Sequence, residues 1–124
     1  MTEPSIDLEG RRILVIEDSP VVASFVTSVL TDLGCTVIGP APNMAVAREL
    51  VESGEFDAAL IDVYIRGERA FPLCDKLGER RLPFVLTSGY ADWQVPEKWA
   101  DWPRLQKPYL LEGVRDALKA ALAR

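Results

Sequence analysis

Ile13-Leu14-Val15-Ile16-Glu17-Asp18 is a short apolar run that ends in two acids, and its reading decides the fold. Consecutive apolar residues, several of them β-branched, suit a strand covered on both faces, as strands of parallel sheets are. Ser19-Pro20 follows: a helix-capping side chain, then a proline whose fixed φ suits the first helical position. Val22, Val26, Val29, Leu30 and Leu33 then recur at helical spacing until Gly34 closes the helix. Strand, acidic turn and helix form one unit.

Outward from that unit the pattern repeats. Thr36-Val37-Ile38 predicts a second strand, and Pro42-Asn43 opens a second helix with Met44, Ala47, Leu50 and Val51 inward and Ser53-Gly54 at its end. Ala58-Ala59-Leu60-Ile61 is a third strand stopped by Asp62. A loop at Gly67 leads into a helix over 71–77, its end weakened by Gly78. Pro83-Phe84-Val85-Leu86 is the fourth strand, and Leu105 lies in the fifth. Between these two, residues 91–101 carry Trp93, Pro96 and Trp99 with a poor helical pattern, so the fourth helix is expected to be short or irregular. Leu111, Val114, Leu118 and Leu122 mark a final helix. Residues 1–10 are polar and unpatterned and read as a lead-in to one domain over 11–124. Such alternation predicts an α/β doubly wound fold, with right-handed crossovers and helices on both sheet faces.

Composition narrows the function classes. A chain of 124 residues supports one core, and its hydrophobic fraction of 48% is that of a globular domain. The net charge of −5 argues against nucleic acid or an anionic membrane as the main partner. No apolar run is long enough to span a bilayer, and the acidic start does not resemble a signal peptide, so a cytoplasmic location is expected. Cys35 and Cys74 lack a metal-site or redox spacing and read as small buried hydrophobes. The absence of histidine removes Ser-His-Asp hydrolysis and histidine metal ligands.

The polar residues at strand ends point to the chemistry. Glu17 and Asp18 follow the first strand, Asp62 the third, Ser88 the fourth and Lys107 the fifth. In an open parallel sheet, ligands bind outside the carboxyl ends of the strands, so these residues converge on one rim. Clustered carboxylates repel, and their joint ionisation needs a cation. A hard divalent ion fits, and Mg²⁺ suits a site with few protein ligands. Such a rim serves phosphoryl transfer to a carboxylate, with the ion, a lysine and a hydroxyl each meeting a phosphoryl oxygen.

The set Glu17-Asp18, Asp62, Ser88 and Lys107-Pro108 resembles the receiver domains of two-component response regulators, over residues 12–124. The resemblance implies a flavodoxin-like (βα)5 fold with strand order 2-1-3-4-5. It also implies Asp62 as phosphoacceptor, Asp18, Asp62 and the Tyr64 backbone carbonyl as Mg²⁺ ligands, and Glu17 acting through water. Ser88 would be the switch hydroxyl and Lys107 the ion partner of the phosphate. Adjacent Thr87 is the competing hydroxyl; Ser88 is preferred because receivers place theirs five positions after the proline that opens the fourth strand, here Pro83, and because strand neighbours face opposite ways. Residues 83–91, Pro-Phe-Val-Leu-Thr-Ser-Gly-Tyr-Ala, look like the PFxFATGYG signature of FAT GUY receivers, with Leu86, Thr87, Ser88 and Ala91 departing from it. Members of that group are often stand-alone receivers served by histidine kinases of the HWE or HisKA2 type, several in the general stress response. Arg104 stands where many receivers carry an aromatic switch residue, and Arg66 replaces a frequent proline, so Tyr90 or Arg104 is the candidate relay.

The resulting expectation is a monomeric single-domain switch, not an enzyme on an external substrate, with output by protein contact or phosphorelay. A haloacid-dehalogenase-type phosphatase would need a DxD motif, and Tyr64 stands two residues after Asp62. A flavodoxin-like cofactor module would need a phosphate loop after Ile16, which is not seen. A pseudo-receiver and a receiver cut from a hybrid kinase are the remaining alternatives. Trp93, Trp99 and Trp102 form either a docking surface or, as preferred, a packed cover over the irregular fourth helix.

Overall fold

A computed structural model describes residues 7–89 and 95–124. In chain order the elements are β1 (Arg12–Ile16), α1 (Pro20–Asp32), β2 (Thr36–Ala41), α2 (Met44–Ser53), β3 (Ala58–Asp62), β4 (Tyr64–Ile65), β5 (Glu68–Arg69), α3 (Phe71–Glu79), β6 (Phe84–Ser88), a 3-10 turn (Glu97–Trp99), β7 (Arg104–Gln106) and α4 (Leu111–Leu122). The main sheet is five-stranded and parallel, in the order β2-β1-β3-β6-β7. Because β4 and β5 form a separate hairpin, the fourth and fifth strands of the sequence reading are β6 and β7, and the order matches the expected 2-1-3-4-5.

Alternation along the strands divides the core in two. Leu14, Ile16, Ala59, Ile61, Phe84 and Leu86 pack with α2 and α3. Ile13, Val15, Ala58, Leu60, Val85 and Leu105 pack with α1 and α4 on the other side. Both faces are covered, which is why the strands read as unbroken apolar runs. The caps behave as expected: Ser19 Oγ accepts from Val22 N–H at 3.4 Å and Asn43 Oδ1 from Val46 N–H at 2.9 Å. Leu8 is buried in the α1–α4 core, and Gly10 N–H donates to the Gly34 carbonyl at 2.8 Å, so the end of the lead-in packs onto the domain.

Several local readings change. The second strand does not stop at Ile38 but runs to Ala41, with an irregularity in its register against β1 and Gly39 at φ 95°. The expected loop at Gly67 is a two-residue turn joining the strands of the hairpin. Helix α3 continues through Gly78 to Glu79. A Cβ on Gly78 would lie 3.0 Å from Trp99 Cη2, so the glycine makes room for the indole.

The fourth helix is irregular, as expected, and among the described residues only the 3-10 turn at Glu97–Trp99 represents it. Aromatic packing covers the sheet there. Trp102 stacks on Phe84 with ring centroids 4.6 Å apart, and Trp99 meets the same ring edge-on at 5.5 Å. Arg124 lies over the Trp102 ring at 4.3 Å. Both described tryptophans are thus packing residues; Trp93 lies outside the described residues.

Candidate functional site

Strand ends bring the candidate residues together. β1 delivers Glu17 and Asp18, β3 delivers Asp62, and Lys107 follows β7. Glu17 and Asp62 are buried, at 3% and 7% exposure, and one carboxylate oxygen from each of Glu17, Asp18 and Asp62 lies within 4.8 Å of the others. At that separation two unit charges repel by about 3.5 kcal/mol at an effective dielectric of about 20. The repulsion must be answered locally.

Lys107 supplies part of the answer. Its Nζ lies 2.7 Å from Glu17 Oε1 and 2.8 Å from Asp62 Oδ2. Burial works to lower the Lys107 pKa, but the hydrogen bonds to Asp62 and Glu17 outweigh it and the net direction is upward, so the ammonium stays charged. Glu17 is also raised, but for the opposite reason: burial lifts its carboxyl above the ordinary range, against the opposing bonds from Lys107 and the Ser19 N–H. One lysine facing three carboxylates leaves negative charge over, and this oxygen donor set is able to hold a metal ion.

Backbone donors fix three of the remaining oxygens. Ser19 N–H donates to Glu17 Oε2 at 3.0 Å, Tyr64 N–H to Asp62 Oδ1 at 3.1 Å, and Arg66 N–H to Asp18 Oδ2 at 2.8 Å. The last two donors come from the β4–β5 hairpin, whose role the sequence reading missed. Gly67 was its visible signal, but two-residue strands are too short to show a period.

The other candidates divide. Thr87 and Ser88 are both buried; Thr87 stands in register with Asp62, and Ser88 with Gln106. Ser88 is the last residue of β6, its carbonyl accepts the Lys107 N–H at 2.8 Å, and a Cβ on Gly89 would lie 4.0 Å from Lys107 Cδ. Tyr64 pairs with Arg69 across the hairpin, and the Arg69 guanidinium lies 5.5 Å from its ring centre. Arg104 is not part of the cluster: it is exposed on β7 and its Nη2 donates to the Ala100 carbonyl at 2.8 Å. Tyr90 lies outside the described residues.

Around the rim, Tyr109 is partly buried against Phe25 with centroids 6.1 Å apart. Burial, then the charges of Glu17 and Asp62, push its phenol upward, so it stays neutral. Both cysteines are buried, and burial raises the Cys74 thiol to about 12, consistent with an unreactive core residue. No helix among the described residues is long and apolar enough to cross a membrane.

Comparison with known proteins agrees with this geometry. The family model of the response regulator receiver domain matches residues 13–101. Solution structures of SdrG superpose over nearly the whole fold. The one from Sphingomonas melonis Fr1 is 39% identical with a TM-score of 0.82, covering 93% of this chain and 98% of that one. The BeF3-activated conformation is 38% identical with a TM-score of 0.76, covering 90% and 95%. The PhyR stress response regulator is 26% identical with a TM-score of 0.77, over 94% of this chain and 46% of that one. Transcriptional regulatory protein TcrA of Mycobacterium tuberculosis is 37% identical over 76 residues, which is 60% of this chain and only 29% of TcrA. With the sheet order, the acid cluster and the lysine in place, the chain belongs to the response regulator receiver domain family.

Proposed function

We propose that this receiver domain is a phosphorylation switch in which Asp62 accepts a phosphoryl group in a Mg²⁺-dependent reaction. One observation carries this reading: the buried Asp62 carboxylate is fixed by Lys107 at 2.8 Å and by the Tyr64 N–H at 3.1 Å, beside two further carboxylates. Asp18 and Asp62, with the Tyr64 carbonyl, would hold the ion and Glu17 would act through water. Bound there, Mg²⁺ supplies charge neutralisation for phosphoryl oxygens. An Asp62 oxygen forms the new P–O bond as the P–N bond of a phosphohistidine donor breaks, and the imidazole keeps the bonding pair. Lys107 then exchanges part of its contact with Asp62 for a phosphoryl oxygen. Ser88, at the end of β6 beside Lys107, is the hydroxyl that meets another.

The donor is a histidine kinase or phosphotransfer protein. Exposed apolar side chains that follow the rim residues in sequence favour it: Val21 and Leu110, three positions after Asp18 and Lys107, are 80% and 72% exposed, and Phe25 follows Val21 one helical turn later. Exposed apolar side chains next to a reactive group suit a docking partner. The HWE or HisKA2 kinase type, and a role in the general stress response, rest on likeness to FAT GUY receivers and to the PhyR stress response regulator. SdrG adopts a BeF3-activated conformation, which accords with activation at the corresponding rim. Output is by protein contact or phosphorelay.

A phosphate-affinity gel tests the reaction. Incubation with acetyl phosphate and Mg²⁺ is expected to give a shifted band that EDTA abolishes. A band of equal intensity in EDTA would contradict the metal dependence.

A further inference from the structure

We propose that Arg66 is a positioning residue for Asp18, acting through its backbone N–H, and that the β4–β5 hairpin sets Mg²⁺ affinity by holding that donor in place. The inference rests on the metal-dependent reading of the rim. Its starting point is a bond across 48 residues of chain, Arg66 N–H to Asp18 Oδ2 at 2.8 Å. The same hairpin gives the Tyr64 N–H to Asp62 Oδ1 at 3.1 Å. One small element therefore orients the carboxylates at the ends of two different strands. Each is left one oxygen for other work: Asp62 Oδ2 meets Lys107, and Asp18 Oδ1 is the oxygen left to a cation.

The turn makes this presentation conditional. Ile65 pairs with Glu68, so Arg66 and Gly67 are the whole loop, and both have left-handed backbones at φ 51° and 82°. Two-residue hairpin loops of this kind favour Asn-Gly, and a long side chain at the first position is conformationally unfavourable. Arg66 is nevertheless anchored, because its Nε donates to the Pro42 carbonyl at 3.3 Å. The tip is thereby tied to the loop after β1 through Asp18 and to the loop after β2 through Pro42. Groups that orient a metal ligand, without touching the metal, commonly change its affinity by about tenfold or more when lost.

Substitutions at the turn separate this role from ordinary packing. A Cβ on Gly67 would meet nothing within 4 Å, so Gly67→Val strains the left-handed backbone without a clash. It is expected to weaken Mg²⁺ binding about tenfold in an NMR shift titration. Gly67→Asn tolerates the same backbone, and Arg66→Asn keeps the N–H and favours the turn. Both are expected to bind Mg²⁺ within about twofold of wild type. Independently of any variant, wild-type protein should show a through-hydrogen-bond coupling between the Arg66 amide nitrogen and the Asp18 carboxyl carbon; this decides the matter if Gly67→Val does not fold. Wild-type affinity in a folded Gly67→Val, or absence of the coupling, overturns the role of Arg66 while leaving the phosphorylation reading intact. A wild type that binds no Mg²⁺ overturns the metal-dependent reading and the Arg66 role with it.

Discussion

The carboxyl-end rim and the segment from Val95 to Trp102 flank the same strand, β6, and are built on opposite principles. At the rim, charged side chains from separate strands converge, and their positions are fixed by hydrogen bonds at 2.7–3.1 Å to Lys107 and to backbone donors. In the other segment the backbone forms only one 3-10 turn, and stability comes from Trp99 and Trp102 against Phe84. Removing a charge from the rim should alter chemistry and the response to metal. Removing a ring from the other segment should alter stability alone.

Lys107→Ala is the stronger way to break the comparison. It leaves Glu17 and Asp62 buried without their cation, and orphaned buried charge costs about 3–5 kcal/mol. The expected loss is nearer the lower figure, because the rim is partly open to water. Urea denaturation should show it, and Mg²⁺ should recover much of it by supplying the missing positive charge. The variant should still bind the ion, whereas phosphate occupancy should no longer change partner binding. Equal stability with and without Mg²⁺, or an unaltered partner response, would contradict the role given to Lys107.

Trp102→Ala sharpens the other side. Truncating a buried aromatic costs about 3–5 kcal/mol, and the partly buried Trp102 should cost about 2–3 kcal/mol in the same denaturation experiment. Phosphoryl uptake by the folded fraction should match wild type. Lost uptake at unchanged stability would move Trp102 from the packing to the site.

How much was legible in the sequence follows the same division. The main strands and Asp62 could be read because strands covered on both faces are continuous apolar runs, and an acid or lysine just beyond such a run must emerge at the rim. Glu17, Asp18, Asp62 and Lys107 converge as the strand-end argument requires. The hairpin was not legible, because its strands are two residues long and its function is carried by backbone N–H groups that any residue but proline supplies. The closeness of Gly78 to Trp99 was not legible either, because only the packed structure brings the indole against it. Alternation separates Thr87 from Ser88 but does not by itself choose between them, since Thr87 is the residue in register with Asp62. The choice of Ser88 rests on the resemblance, which puts the hydroxyl five positions after Pro83; Ser88 lies at the end of β6, where its carbonyl meets the Lys107 N–H.

Intact-mass spectrometry of wild type and Asp62→Asn, each incubated with a phosphohistidine donor protein and Mg²⁺, tests the central claim most directly. Wild type is expected to gain one phosphoryl group, mapped to Asp62, and Asp62→Asn none while remaining folded. A phosphoryl group on Asp62→Asn, or none on wild type with a competent donor, would contradict the account.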